Sequence, residues 1–168
     1  METTQEATQE EAQEWTMKVE PTAEHLWLQQ FLGEWESEAG EGGCGAGTIN
    51  FRPLGQAWVV GDGVMDMGAD KGYTQITLGF NPDAGRFVGS WVGSMMTHHW
   101  VYDGYLDEAK KVLSLESTGP SWTEPGKMIP YKDVITVISD DHHTLTGNLK
   151  NADGEWEQFM ITHYRRKK

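Results

Sequence analysis

One cysteine in 168 residues leaves no partner for an internal disulfide, so nothing covalent braces the chain. No stretch approaches the roughly 20 apolar residues that a helical membrane span needs. The opening Met1-Glu2-Thr3-Thr4-Gln5 lacks the basic and apolar regions of an export leader, and the sequence reads as cytoplasmic. Positive charge is scarce, with 13 Lys and Arg against 26 Asp and Glu and a formal net charge of −13. Nucleic acid, whose phosphates ask for clustered basic side chains, is excluded on that ground, and anionic membrane surfaces are disfavoured as partners.

Catalytic signatures are also lacking. In Gly89-Ser90-Trp91-Val92-Gly93 the serine stands one place too early for a nucleophile elbow. The glycine-rich run from Gly40 to Gly47 opens no helix and carries Glu41, so it is a poor phosphate cradle. Cys44 lies inside that run without a sequence neighbour that would lower its pKa. Asp140-Asp141 reads as a turn, where Asp bonds its own backbone.

What the chain does have is aromatic residues: eight Trp and five Tyr, within 38% apolar and 23% charged residues, a globular balance. Rings favour strands and β cores, and they also line cavities. Residues 1–24 hold seven Glu and one Lys, while Arg165 to Lys168 are all basic. Residues 1–20 therefore read as a solvated acidic arm and 21–168 as one folded domain. Thr22 is placed to cap a short helix, with Leu28, Phe31 and Leu32 on one face.

Beyond Gly33 the period is two, with turn residues between the runs. Strands are expected near 35–39, 47–52, 57–67, 73–80, 86–92, 97–106, 111–117, 129–138, 143–150 and 155–165. Connections are too short for crossover helices. The expected fold is therefore all-β: a single closed antiparallel up-and-down barrel of about ten strands, with the short N-terminal helix capping one end. Gly33-Glu34-Trp35 at the first strand and Arg165 in the last are the expected closure, with a guanidinium stacked on the indole. The stretch 118–128, with Gly-Pro, Trp122 and Pro-Gly, reads as a structured loop at a barrel mouth.

An ordered series of segments resembles one family. It runs from Glu24-His25-x-Trp27-Leu28 through Gly33-Glu34-Trp35, Leu78-Gly79-Phe80-Asn81-Pro82 and Gly85-Arg86-Phe87-Val88-Gly89-Ser90-Trp91. It continues with Ser94-Met95-Met96, Tyr102-Asp103-Gly104, Gly126-Lys127 and Asp140-Asp141-His142, and covers about residues 23–166. These resemble the bacterial family called domain of unknown function 1579, within a calycin-like superfamily of lipocalins and fatty-acid-binding proteins. The family implies no activity. The superfamily implies a hydrophobic ligand, or haem, held inside a barrel.

The site expected from the residues is a pocket lined by Trp58, Trp91, Met95, His98, Trp100 and Tyr102, holding a small hydrophobic or aromatic molecule. Plain core packing accounts for the same rings. His98 is its polar handle, or the acid/base of an enzyme in the alternative reading. A haem-binding barrel of the nitrobindin type is a further alternative; its ligand would fall at Ile161, not at His163, and no cofactor is expected. Adjacent histidines on a strand face opposite ways, so His98-His99 and His142-His143 form no chelate and no metal is expected. A homodimer through an exposed strand or the acidic arm is the expected alternative partner relationship.

Overall fold

The computed structural model describes residues 18–40 and 45–168. Most of the acidic arm and Cys44 lie outside the described residues. Ten strands follow one helical segment: β1 Gly33–Ser37, β2 Gly47–Leu54, β3 Trp58–Asp66, β4 Lys71–Asn81, β5 Arg86–Gly93, β6 Trp100–Leu106, β7 Val112–Pro120, β8 Met128–Ser139, β9 His142–Lys150 and β10 Trp156–Arg166. Each pairs antiparallel with its sequence neighbour, and β1 pairs with β10, so the sheet is a closed ten-stranded barrel. Closure gives every strand two neighbours and confines open edge to the stretch where β6 and β7 part.

The helix α1 (Ala23–Leu28) and a following 3-10 turn (Gln29–Phe31) plug one end, here called the floor. Their apolar side, Leu28 and Phe31, is 1% and 2% exposed. Burying two such side chains contributes roughly 1.5–3 kcal/mol each. His25 joins the helix to the wall. Its Nδ1 accepts from the Thr22 N–H, so its Nε2–H donates to the Phe80 carbonyl at 3.0 Å. Trp27 Nε1–H donates to the Lys110 carbonyl at 2.9 Å. No helix among the described residues is long and apolar enough to cross a membrane.

Closure uses Arg166, not Arg165. The register sets Trp35 opposite Arg166 and Glu36 opposite Arg165. Directly opposed residues share a face, so Arg166 turns inward and Arg165 outward, where it pairs with Glu38. The Arg166 guanidinium lies 4.3 Å from the Trp35 ring centroid. It donates to the carbonyls of Leu32 (2.8 Å), Gln30 (2.8 Å) and Asp140 (3.0 Å). Gly33 makes room for it: its φ is +112°, and a Cβ there would sit 3.2 Å from the Arg166 Nη1.

Two strands differ from expectation in extent. β6 begins at Trp100, so His98 and His99 lie in the connection before it. β7 runs on to Pro120, which shortens the mouth loop to 121–127. Both differences sit where β6 and β7 part. Their ladder extends only from Leu106↔Leu113 to Asp103↔Glu116, and above it the two strands are unpaired with each other.

Candidate functional site: the open end of the barrel

The two halves of the barrel are packed differently. Toward the floor the inward residues Leu78, Leu113 and Leu115 are 0% exposed and Trp35 is 2%. Toward the opposite end, the mouth, the inward Trp91, Trp100 and Met160 are only half-buried. The mouth rings lie over glycine. Gly93, Gly119 and Gly147 occupy inward strand positions near the mouth, and large side chains lie flat over them. A Cβ on Gly119 would overlap the Trp100 indole, and one on Gly93 would overlap Trp91 and Met95. One on Gly147 would come within 2.6 Å of the Phe159 ring. Rings that lie down on glycine project less into the lumen than rings standing on a wall of branched residues.

The mouth rings touch one another. His98 and Trp100 meet edge to face at 4.7 Å, and Trp100 and Tyr131 at 4.8 Å. Trp122, on the mouth loop and 63% exposed, stands 4.5 Å from Phe159 and 6.0 Å from Tyr131. The Tyr131 hydroxyl donates to the Pro120 carbonyl at 2.6 Å, at the end of β7 where the mouth loop begins. Where β6 and β7 part, a groove of about 590 Å³ opens on the outer side, lined by His99, Val101, Thr118 and Trp156. The inward-facing Ser117 and Tyr131 also line it.

Below the rings lies a polar pair that sequence reasoning missed. The Tyr102 hydroxyl donates to the Asp133 carboxylate at 2.5 Å. Both side chains point inward, Tyr102 opposite Gly89 and Asp133 opposite Leu115 and Gly147. Burial pushes the Asp133 carboxyl up to about 6, with the Tyr102 bond pulling the other way. Burial, then the neighbouring Asp133 charge, raises the Tyr102 phenol well above its usual value. The signal that marks Asp133 is an acid at an inward position of β8, where Tyr131, Ile135 and Val137 are its inward neighbours.

The expected pocket residues fall in different places. Trp91, Met95, His98 and Trp100 come together at the mouth. Tyr102 lies one inward position deeper, 4% exposed. Trp58 is not in the lumen. It opposes Gly79 on the outer face, beside the inward Val59–Leu78 pair, and lies over that glycine while 37% exposed. Tyr131, Asp133 and Phe159 belong with the mouth and were not expected there, whereas Trp122 stands on the loop expected at the mouth.

Among the described residues, no carboxylate bonds or ion-pairs with His98 as it would with an acid/base. Its Nε2 bonds the Thr118 carbonyl at 2.9 Å, bridging the seam where β6 and β7 have no ladder. The haem alternative lacks its ligand. Thr162 and Tyr164 are the inward residues of that stretch of β10, so Ile161 and His163 face outward, and His163 Nδ1 is 3.0 Å from His142 Nε2. The inward imidazole is His143, wedged between Trp35 at 4.3 Å and Tyr164 stacked at 5.0 Å. These residues do not fit a haem held from the last strand. No cluster of three metal-ligating side chains occurs among the described residues.

A ten-stranded antiparallel barrel with a helix-plugged floor and a ring-lined mouth defines the class. Residues 20–166 match the family described as "Protein of unknown function (DUF1579)", and the chain belongs to that family. No curated protein matches the chain. A solved structure described as "Structure of EF1p2_mFAP2b bound to DFHBI" aligns over 85% of this chain and 98% of its own, at 17% identity and a TM-score of 0.36.

Proposed function

We propose that this barrel is a binding protein for a small, largely apolar molecule that enters at the mouth. The reading rests on one observation. Rings and methionines at that end lie over inward glycines and stay half-buried, whereas the floor half is filled by its own side chains. The contact surface is Trp91, Met95, Trp100 and Tyr131, with Trp122 and Phe159 above. Methionine adapts its shape, and rings supply area at little entropic cost. The resemblance to calycin-like barrels, with Gly33-x-Trp35 under Arg166, supports the same reading.

Native mass spectrometry of the full chain purified from its own host tests the proposal. An added mass that leaves on denaturation is the expected result. A bare protein, together with tryptophan emission unmoved by apolar amines, alcohols, acids and retinoids, would overturn it.

A further inference from the structure

The polar pair beneath the rings points to the chemistry of the guest. Asp133 faces inward, opposite Leu115 and Gly147, and is half-buried. Its carboxylate receives the Tyr102 hydroxyl through one oxygen, Oδ2. Among the described residues, no Lys, Arg or His nitrogen lies within ion-pair distance of it, although such pairs occur at seven places elsewhere. A carboxylate in such a place ordinarily has a cation or several donors. Here one neutral hydroxyl holds it in position and leaves Oδ1 for something else.

The Trp100–Tyr131 ring pair stands directly above. Trp100 precedes Tyr102 by two residues on β6, and Tyr131 precedes Asp133 by two on β8. One inward step along a strand is roughly 6.6 Å. A guest whose body lies against those rings therefore brings its end group to the carboxylate. π faces attract cations as the carboxylate does. The whole chain adds to this, since a net charge of −13 draws cations and repels anions.

We infer that the guest is an organic cation: a primary ammonium or similar donor on an apolar or aromatic body, its nitrogen on Asp133 and its body against Trp100 and Tyr131. This rests on the binding function proposed above and names its ligand class. Tyr102 is a positioning residue, because it fixes the carboxylate from behind and does not itself hold the nitrogen.

Three probes with one body separate the cases: phenylpropylamine, phenylpropanol and phenylpropanoate, titrated calorimetrically into the full-length protein near neutral pH. The amine is expected to bind about tenfold or more tighter than the alcohol, and the carboxylate weakest. In Asp133→Asn, amine affinity is expected to fall to that of the alcohol while alcohol binding holds. Equal binding of amine and alcohol by the natural protein would overturn the inference and leave the mouth as a binding site. Tightest binding of the carboxylate, or an amine affinity indifferent to Asp133→Asn, would also overturn it. Binding of none of the three would count against the inference and the proposed function together. The amine–alcohol comparison on the natural protein needs no variant, so misfolding of Asp133→Asn leaves the test intact.

Discussion

The guanidinium of Arg166 lies on the face of Trp35, 4.3 Å from its ring centroid, and this stack closes the barrel across its first and last strands. The same planar group donates to carbonyls of Gln30, Leu32 and Asp140, and its Nε is 3.2 Å from the Asp141 carboxylate. It therefore binds the floor helix, both terminal strands and the β8–β9 turn at once. A lysine cannot copy a flat fork with that many donors. Arg166→Lys is expected to cost about 2–3 kcal/mol, lowering Tm by several degrees in calorimetry. Arg165→Lys, which touches only an exposed Glu38 pair, should change stability by less than about 0.5 kcal/mol. A larger effect at Arg165 than at Arg166 would mean the closure has been assigned to the wrong residue.

That contrast also shows where the sequence is legible. Turn chemistry between period-two runs is local, so all ten strands can be read with ends off by only a few residues. Which of two adjacent arginines faces inward depends on register, and a slip of one residue exchanges the faces. Trp58 misleads for a related reason. β3 turns Gly61 and Gly63 toward the lumen, so the rule that the bulkier face is the inner one fails there. Asp133 can be recognised as an acid among inward apolar neighbours, but its partner Tyr102 is 31 residues away, and only the closed sheet brings them together.

His143 is 4% exposed, and its Nδ1 has no hydrogen-bond partner among the described residues. Burial, then His142 and Arg166 nearby, hold its pKa down to about 3 from 6.5. The folded state thus refuses a proton that the unfolded chain accepts. Its contribution is full above pH 6.5 and is lost as pH falls toward 3. His143→Phe keeps a ring between Trp35 and Tyr164 and removes the orphan nitrogen. Urea unfolding should show the variant about 1–3 kcal/mol more stable at neutral pH. Near pH 4.5 the margin should widen by roughly another 3 kcal/mol. A margin that stays constant with pH would show that His143 is not the acid-sensitive group.

Asp133 works in the opposite direction. Its folded pKa is about 6 against 3.8, so the folded state holds the proton more tightly. The titratable neighbours bearing on this group are Tyr102, bonded to it, and Tyr164, which bears on Tyr102. Stability from this group is intact below pH 3.8 and falls as pH rises through 6, by about 3 kcal/mol in all. Asp133→Asn leaves an amide oxygen to accept from Tyr102 and abolishes the charge. The variant should be more stable than the natural protein above about pH 6 and equal to it near pH 3.8. A carboxylate kept at that cost fits a group retained for binding. A destabilised variant at neutral pH would show that the carboxylate is structural.

Gly119 is where wall and site meet. It lies on the part of β7 with no ladder to β6, and the Trp100 indole covers it. Alanine there puts a methyl group into the indole, and the backbone beneath is held by β8 through Gly119↔Ile129. The ring must therefore lift into the lumen. The cost to folding is expected to be about 1–3 kcal/mol, as for other overpacked sites. The cost to binding should be larger, because the lifted indole occupies the space beside Tyr131 that a guest needs. Tryptophan emission should shift, and affinity for phenylpropylamine should fall about tenfold or more. Asn148→Ala serves as the control: it removes a bond to the Lys132 carbonyl on the outer face and should leave that affinity unchanged. If Gly119→Ala weakened folding but spared affinity, the space over Trp100 would not be where the ligand lies.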